Sequence, residues 1–177
     1  MKLLLIADTH LPDRSTGRAR DLPAPVWAAV DGADAADMVV HAGDWVSVAL
    51  LDALAARAAR LVGVFGNNDG PELRERLPEV ARVELDGLRL AVVHETGAAA
   101  GRERRCARAF PDDDVLVFGH SHIPWDSVAH RPDGSRLRLL NPGSPTDRRR
   151  RPTFTWMTAT VRGGVLDEVT LHHLPPG

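Results

Sequence analysis

Short apolar runs alternate with polar clusters along the first two thirds of the chain. Runs of this kind, each bounded by turn residues, are typical of buried strands in a parallel sheet. They predict strands at residues 3–7, 38–41, 61–65 and 115–118. Between them, residues 24–30 and 46–59 carry apolar side chains at helical spacing. Strands that alternate with helices predict an α/β fold.

Turn residues in the rest of the chain predict antiparallel hairpins. Two-residue and three-residue turns rich in Gly, Asp and Pro separate pairs of strand-like runs. The predicted pairs are residues 81–85 with 88–94, 127–131 with 136–140, and 153–162 with 165–171, and a further helix is predicted at 102–110. The sheet is therefore expected to be mixed, with an antiparallel last third.

Length, charge and cysteine content restrict the class of protein. A chain of 177 residues fits one domain, here residues 1–177. The formal charge of −2 gives no field that would attract polyanions, which argues against a nucleic-acid partner. Cys106 is the single cysteine, so it forms no intramolecular disulfide and the chain suits a reducing cytoplasm. The apolar run near Met1 is too short for a signal peptide or a membrane span, and the oligomeric state stays open.

Polar clusters follow the predicted strands at the points where they end. In an open α/β sheet, ligand sites form beyond the carboxyl ends of the strands, so these side chains are expected to meet. The clusters contain carboxylates, an amide and imidazoles, and they supply seven candidate metal ligands: Asp8, His10, Asp44, Asn67, His94, His120 and His122.

The donor types in this set restrict the metal. Carboxylate oxygen together with imidazole nitrogen suits manganese, zinc, iron or nickel, whereas magnesium and calcium prefer oxygen alone. Seven ligands exceed the needs of one tetrahedral ion. Two divalent ions about 3.5–4 Å apart that share a carboxylate use the set economically. We therefore expect two divalent transition-metal ions, with manganese favoured.

The order of the motifs, D-x-H, G-D, G-N-x-D, H and G-H-x-H, resembles that of the calcineurin-like metallophosphoesterases from Asp8 to Ser144. The similarity is greatest to the small single-domain bacterial and archaeal phosphodiesterases. The resemblance implies a four-layer α-β-β-α sandwich of two mixed sheets, with residues 141–144 supporting the site. It also implies that one ion is held by Asp8, His10 and His122, the other by Asn67, His94 and His120, and that Asp44 bridges them.

This site predicts a phosphodiesterase that acts on small phosphodiesters or nucleotides. Two cations that share a water lower its pKa toward neutrality, which gives a hydroxide able to attack phosphorus. Many relatives carry His after the metal-binding Asn and use it to protonate the leaving group, but here Asn68 stands there, and an amide supplies no proton. Asp69 is expected to orient Asn67 or a water. Glu95 stands where relatives commonly have Gly, which adds a carboxylate near the site.

Two other functions stay open. A phosphomonoesterase would use the same ligands and a pocket for a dianion, built from Arg14, Arg18 or the run Arg148, Arg149, Arg150 and Arg151. A non-catalytic protein-binding scaffold would use the fold alone. The arginine run is also interpretable as a solvated loop, and the loop from Leu11 to Pro25 as a substrate-side element or a surface excursion. Asp44 alone would often be a helix N-cap.

Overall fold

The computed structural model describes residues 1–11 and 21–174, which form two β-sheets and four helices. The helices are α1 (Ala24–Asp31), α2 (Val48–Arg57), α3 (Pro71–Arg76) and α4 (Arg102–Ala109). The strands are β1 (Lys2–Ile6), β2 (Met38–His41), β3 (Leu61–Gly63), β4 (Val80–Leu85), β5 (Leu88–Val93), β6 (Val115–Val117), β7 (Trp125–His130), β8 (Arg136–Asn141), β9 (Phe154–Arg162) and β10 (Val165–Leu174).

Both sheets are mixed and have a parallel centre. The first has the order β10-β9-β1-β2-β3, with β1, β2 and β3 parallel and β9 antiparallel to both of its neighbours. The second has the order β4-β5-β6-β8-β7, with β5, β6 and β8 parallel and an antiparallel strand at each edge. The parallel strands of each sheet therefore end at one edge, and their following loops lie side by side.

Three apolar clusters hold four layers together. The central cluster joins the inner faces of the two sheets, with Leu5 and Val40 of one sheet against Val92 and Val117 of the other. Alternate residues of β1 and β2 point the other way and pack on α1, α2 and α3. The outer face of the second sheet packs on α4 through Cys106 and neighbouring side chains. Both faces of the central strands are thus buried, as their continuous apolar sequences predicted.

The structure confirms the α/β class and the two mixed sheets flanked by helices. Three details of the prediction are wrong. The last third is not purely antiparallel, because β8 pairs in parallel with β6. Helix α3 was missed, since six residues are too few to show a helical period. Helix α2 begins at Val48 rather than Val46, because Val46 has a φ of 67° and the Ser47 hydroxyl accepts the hydrogen bond from the Leu50 amide.

The described parts of the chain contain no helix that is long and apolar enough to cross a membrane. The predicted loop from Leu11 to Pro25 lies mostly outside the described residues, and Arg14 and Arg18 lie outside them entirely.

Candidate metal centre

The seven predicted ligands follow parallel strands of both sheets and converge between them. Asp8 and His10 follow β1, Asp44 follows β2, Asn67 follows β3, His94 follows β5, and His120 and His122 follow β6. The Asp44 carboxylate lies at the middle of the group. Its Oδ2 is 3.3 Å from His10 Nε2, and its Oδ1 is 3.4 Å from His94 Nε2.

One half of the site consists of Asp8, His10 and His122. One potential ligand atom from each of these residues lies within 4.8 Å of the other two. The His10 and His122 rings are stacked with their centroids 5.0 Å apart, and His122 Nε2 is 3.8 Å from Asp8 Oδ1. Asp8 and His122 are buried, and His10 is partly exposed, so this half opens to solvent at His10.

The other half gathers around the Asn67 side-chain oxygen. His94 Nε2 lies 3.0 Å from Asn67 Oδ1, and His120 Nδ1 lies 2.9 Å from the same atom. Asp8, Asp44 and His94 form a second group of potential ligand atoms within 4.8 Å of one another. Asp8 therefore belongs to both groups, and Asp44 faces a histidine of each half.

These atoms fit the requirements of bound cations. Among the described residues, Asp8 Oδ2, His10 Nε2 and His122 Nε2 are buried without a hydrogen-bond partner. Buried polar atoms rarely stay unpaired, because an unpaired donor or acceptor costs about 1–3 kcal/mol. Donor atoms that share one ion at about 2.0–2.2 Å are themselves about 3–3.5 Å apart, as several pairs here are. The donor set, of carboxylate, amide oxygen and imidazole, suits divalent transition metals.

Backbone strain is concentrated on the same residues. Asp8, His10, Asp44, His120 and His122 all have φ between 46° and 69°, in the left-handed region that side chains other than Gly rarely adopt. Such conformations cost about 1–3 kcal/mol each and persist where the surroundings impose them, commonly at functional sites. These left-handed residues are the alternate positions of the D-x-H and H-x-H motifs that carry candidate ligands.

Two histidines donate through Nδ1 to backbone carbonyls. His94 Nδ1 donates to the Ala42 carbonyl at 2.7 Å, and His122 Nδ1 donates to the Asp147 carbonyl at 2.6 Å. A neutral imidazole that donates through Nδ1 presents a lone pair at Nε2. Burial lowers the pKa of His122 and favours that form, whereas for His94 Asp44 outweighs burial and raises the pKa. Backbone carbonyls therefore orient both rings for metal binding, a common arrangement around ligating histidines.

Burial dominates the electrostatics of the site. It raises the pKa of Asp8 from 3.8 to about 7, since the opposing charges of His94 and others compensate only in part. Burial also lowers the pKa of His122 to about 4. For Asp44, burial raises the pKa, but hydrogen bonds from His94 and Asn68 outweigh it and hold the pKa well below its usual range. The centre thus keeps Asp44 anionic and His122 neutral, the forms that bind cations.

Asn68 and Asp69, predicted as supporting residues, both act on Asp44. The Asn68 amide donates to Asp44 Oδ2 at 2.7 Å from its side chain and to Oδ1 at 2.9 Å from its backbone. The Asp69 carboxylate accepts from the backbone N–H groups of Gly66, Asp44 and Val46 at 2.7–3.1 Å. Within the described residues it makes no hydrogen bond to the Asn67 side chain, so it positions loops rather than the amide itself.

We predict that Asn68→Ala weakens the binding of manganese to this centre. The substitution removes the side-chain donor that fixes the Asp44 carboxylate, and loss of a supporting contact to a metal ligand typically costs about 10–100-fold in metal affinity. The measurement is the manganese concentration that half-saturates the protein in a calorimetric titration. Glu75→Ala, an exposed change on α3, serves as the control. An unchanged midpoint in Asn68→Ala would show that the backbone amide alone holds Asp44.

A second set of supporting residues joins the loops of the centre, and most of it was not predicted from the sequence. His41 is fully buried, stacks on Trp45 with 3.5 Å between ring centroids, and lies 3.1 Å through Nε2 from the Thr9 hydroxyl. Ser144 Oγ donates to the Asp8 carbonyl at 2.7 Å, and Asn141 Nδ2 donates to the Gly119 carbonyl at 2.9 Å. The resemblance implied only that residues 141–144 support the site, because no sequence pattern reveals which carbonyl a side chain will reach.

Other predicted features lie at the edge of the centre or away from it. Glu95 Oε1 is 3.9 Å from His120 Nε2, with more than half of its side chain exposed. Ser47, rather than Asp44, caps α2, so the interpretation of Asp44 as only a helix cap is wrong. Cys106 lies on the buried face of α4 and packs in the core as a small apolar residue would.

Comparison with known proteins agrees with this geometry. Residues 1–164 match the calcineurin-like phosphoesterase superfamily domain. The chain belongs to that superfamily. A probable metallophosphoesterase of Methanocaldococcus jannaschii is 33% identical over 149 residues, which cover 82% of this chain and 69% of the relative. A phosphodiesterase of the same organism is 25% identical over 118 residues, which cover 60% of this chain and 66% of that protein.

Solved structures share the whole fold of this superfamily member. A Thermotoga maritima protein solved by NMR is 27% identical and superposes with a TM-score of 0.71, covering 98% of this chain and 99% of its own. Vps29 of Entamoeba histolytica, in complex with zinc, gives a TM-score of 0.73 at 19% identity and covers 99% of both chains. At that identity, the likeness to Vps29 concerns the fold. These findings identify a metallophosphoesterase fold with a candidate metal centre at its strand ends.

Proposed function

We propose that this phosphoesterase is a dinuclear, metal-dependent phosphodiesterase that acts on small phosphodiesters or nucleotides. One observation carries the proposal. Two groups of potential ligand atoms share Asp8, and the second of them contains Asp44. They include buried nitrogen and oxygen atoms without a hydrogen-bond partner among the described residues. A single cation would leave one group unused, so the arrangement favours two.

The residues divide between two cations according to their distances. Asp8, His10 and His122 would hold one cation, and Asn67, His94 and His120 would hold the other. Asp44 presents one carboxylate oxygen to each half and would bridge them. Manganese is favoured, and zinc, iron or nickel suits the same donors. When bound, two such cations lower the pKa of a shared water and offset the charge on phosphoryl oxygens.

The residues of the chain position the metal ligands for this reaction, and the proposal assigns no protein side chain as the nucleophile. Asn68 donates a hydrogen bond to the Asp44 side chain, and Asp69 accepts one from the Asp44 backbone amide. Asp8, His10 and His122 are aimed by strained backbone that costs no reorganisation during the reaction. Preorganised charge is therefore the main contribution that we expect from the protein.

The preference for a diester rests on two further observations. Asn68 stands where many relatives have a histidine, and its amide is committed to Asp44, so it transfers no proton to a leaving group. A relative that matches 60% of this chain is named a phosphodiesterase.

A cavity of about 190 Å³ opens beside Asn67 and His94, lined also by Phe65, Arg74 and Glu79, and its size suits a small ester group.

The test compares bis(p-nitrophenyl) phosphate with p-nitrophenyl phosphate as substrates. The purified protein is stripped with a chelator, assayed as the blank, and then titrated with manganese while bound metal is counted by elemental analysis. We expect hydrolysis to appear with manganese, two ions to bind per chain, and kcat/KM to be higher for the diester. A higher value for the monoester would favour the phosphomonoesterase. Metal binding without hydrolysis of either ester would favour the scaffold.

A further inference from the structure

The loop that follows β8 is fastened to the Asp8–His10–His122 half of the centre. Ser144 donates to the Asp8 carbonyl, and Thr146 Oγ1 donates to the Thr9 carbonyl at 2.5 Å. His122 Nδ1 donates to the Asp147 carbonyl at 2.6 Å. Two motifs of the centre, D-x-H and G-H-x-H, are therefore bonded to residues 144–147. The position of the next residues is fixed relative to the candidate metal ligands.

A tight turn then places Arg149 at the rim of this half. The Arg149 amide donates to Asp147 Oδ1 at 3.1 Å, and Arg149 has a φ of 48°. The same Asp147 carboxylate lies 3.6 Å from His122 Nδ1 through Oδ2. One aspartate thus contacts both a ligand histidine and the backbone that carries Arg149. A left-handed residue with a large side chain is uncommon and indicates an imposed conformation.

The arginines of the run differ in their surroundings. Arg148 Nη1 donates to the Arg151 carbonyl at 2.6 Å, so Arg148 closes the turn itself. Arg149 is exposed, and within the described residues its guanidinium forms no hydrogen bond or ion pair with a protein side chain. Its backbone is bonded to Asp147, which contacts the candidate ligand His122, so the guanidinium extends from the edge of the Asp8–His10–His122 half.

A cation in this position would repel bound metals unless an anion lay between them. A phosphoryl group supplies that anion, since its oxygens accept hydrogen bonds from a guanidinium while others face the metals. Aspartate donors neutralise part of the metal charge, and within the described residues no carboxylate pairs with the Arg149 guanidinium. A substrate phosphoryl group supplies negative charge at this position.

We propose that Arg149 binds an anionic phosphoryl oxygen of the substrate at the Asp8–His10–His122 side of the centre. The inference rests on the proposed phosphoesterase function and names the member of the arginine run that contacts the substrate. Arg148, Arg150 and Arg151 have no such role.

The experiment measures inorganic phosphate binding and ester hydrolysis by the manganese-loaded protein. Arg149→Ala is compared with Arg149→Lys and with Arg150→Ala, the matched neighbour. We expect Arg149→Ala to raise KM for the ester and the dissociation constant of phosphate by about 10-fold or more, as for loss of a charged hydrogen bond. Lysine restores part of the affinity. Arg150→Ala stays within about twofold, as a typical surface charge does.

Bound manganese and thermal stability, measured in each variant, separate substrate binding from a structural role. Arg149→Ala should retain the metal content and the melting temperature of the wild type. Equal losses in Arg149→Ala and Arg150→Ala, loss of metal from Arg149→Ala, or unchanged phosphate affinity would each overturn the proposal. Because phosphate binding is measured directly by calorimetry, the result stands apart from the assay of the proposed function, which fails if the monoester is the better substrate or if neither ester is hydrolysed.

Discussion

Asp8→Asn is expected to make the metal-free protein more stable than the wild type at pH 8, by about 2–4 kcal/mol of unfolding free energy. Asp8 is fully buried, and its Oδ2 has no hydrogen-bond partner among the described residues. At pH 8 the wild-type carboxylate must therefore be charged in a site that opposes charge. Asparagine has nearly the same shape and no charge, so it removes this cost.

The sign of the pH dependence follows from the pKa of Asp8. Burial raises it from 3.8 to about 7 in the folded protein, so between these values the unfolded chain loses a proton that the folded chain keeps. The wild-type metal-free protein therefore loses stability as the pH rises from about 4 to about 7, and the loss is complete above that. The advantage of Asp8→Asn is expected to be largest at pH 8 and to shrink by more than half at pH 5.

Urea unfolding in the presence of a chelator, at pH 8 and at pH 5, measures this difference. Added manganese should reverse the order, because the wild type gains binding energy that the variant, lacking a ligand, cannot gain. Asp113→Asn is the matched control: it removes a buried carboxylate that pairs with Arg82 far from the centre, so it should destabilise the protein with or without manganese. A metal-free Asp8→Asn variant no more stable than the wild type at pH 8 would contradict the prediction.

The ligand positions could be predicted because they depend on strand ends. Buried parallel strands are readable as apolar runs, and the residues after them must lie at one edge of the sheet. Asp8 and Asp44 each follow such a run within a few residues, and β1 and β2 are parallel neighbours, so the proximity of these two residues follows from topology alone. The second sheet and the division of ligands into two groups came from the resemblance to a family, since a strand pattern does not show which strands share a sheet.

The supporting contacts could not be predicted, because they depend on loop conformation. Ser144 and Thr146 reach carbonyls more than 130 residues away in sequence, and Asp69 collects three amides from two loops. The sequence could not distinguish Arg149 from its neighbours either. That distinction arises from a left-handed turn on Asp147, and arginine gives no sequence signal for such a turn.

The strain and the unpaired atoms of the centre lie on the same residues. Five candidate ligands adopt left-handed backbone, and three buried side-chain atoms of that group have no hydrogen-bond partner among the described residues. Each feature destabilises the metal-free fold, and a bound cation would compensate for the unpaired atoms. Sites that trade stability for function commonly show this pattern. The core around β1 and β2, which is apolar on both faces, stabilises the fold that imposes the strain.

Asp44→Asn is expected to lower manganese-dependent hydrolysis by about a thousandfold or more, as expected when preorganised charge in an active site is lost. Asp44 presents one carboxylate oxygen to His10 and the other to His94, so its side chain lies between the two halves. Asparagine keeps the size but replaces one oxygen by an amide nitrogen. That nitrogen would face either a histidine that binds metal or the Asn68 amide donor, 2.7 Å from Oδ2 in the wild type. Both orientations are unfavourable.

Kinetics and metal analysis together test this expectation. The number of manganese ions bound per chain should fall below the wild-type value, and raising the manganese concentration should restore only a small part of kcat. Asp52→Asn, the same chemical change at an exposed α2 residue that pairs with Arg76, should keep activity within about twofold, because exposed ion pairs contribute little. Full activity of Asp44→Asn at saturating manganese would show that the two halves of the centre work without a shared carboxylate, and the dinuclear assignment would then be wrong.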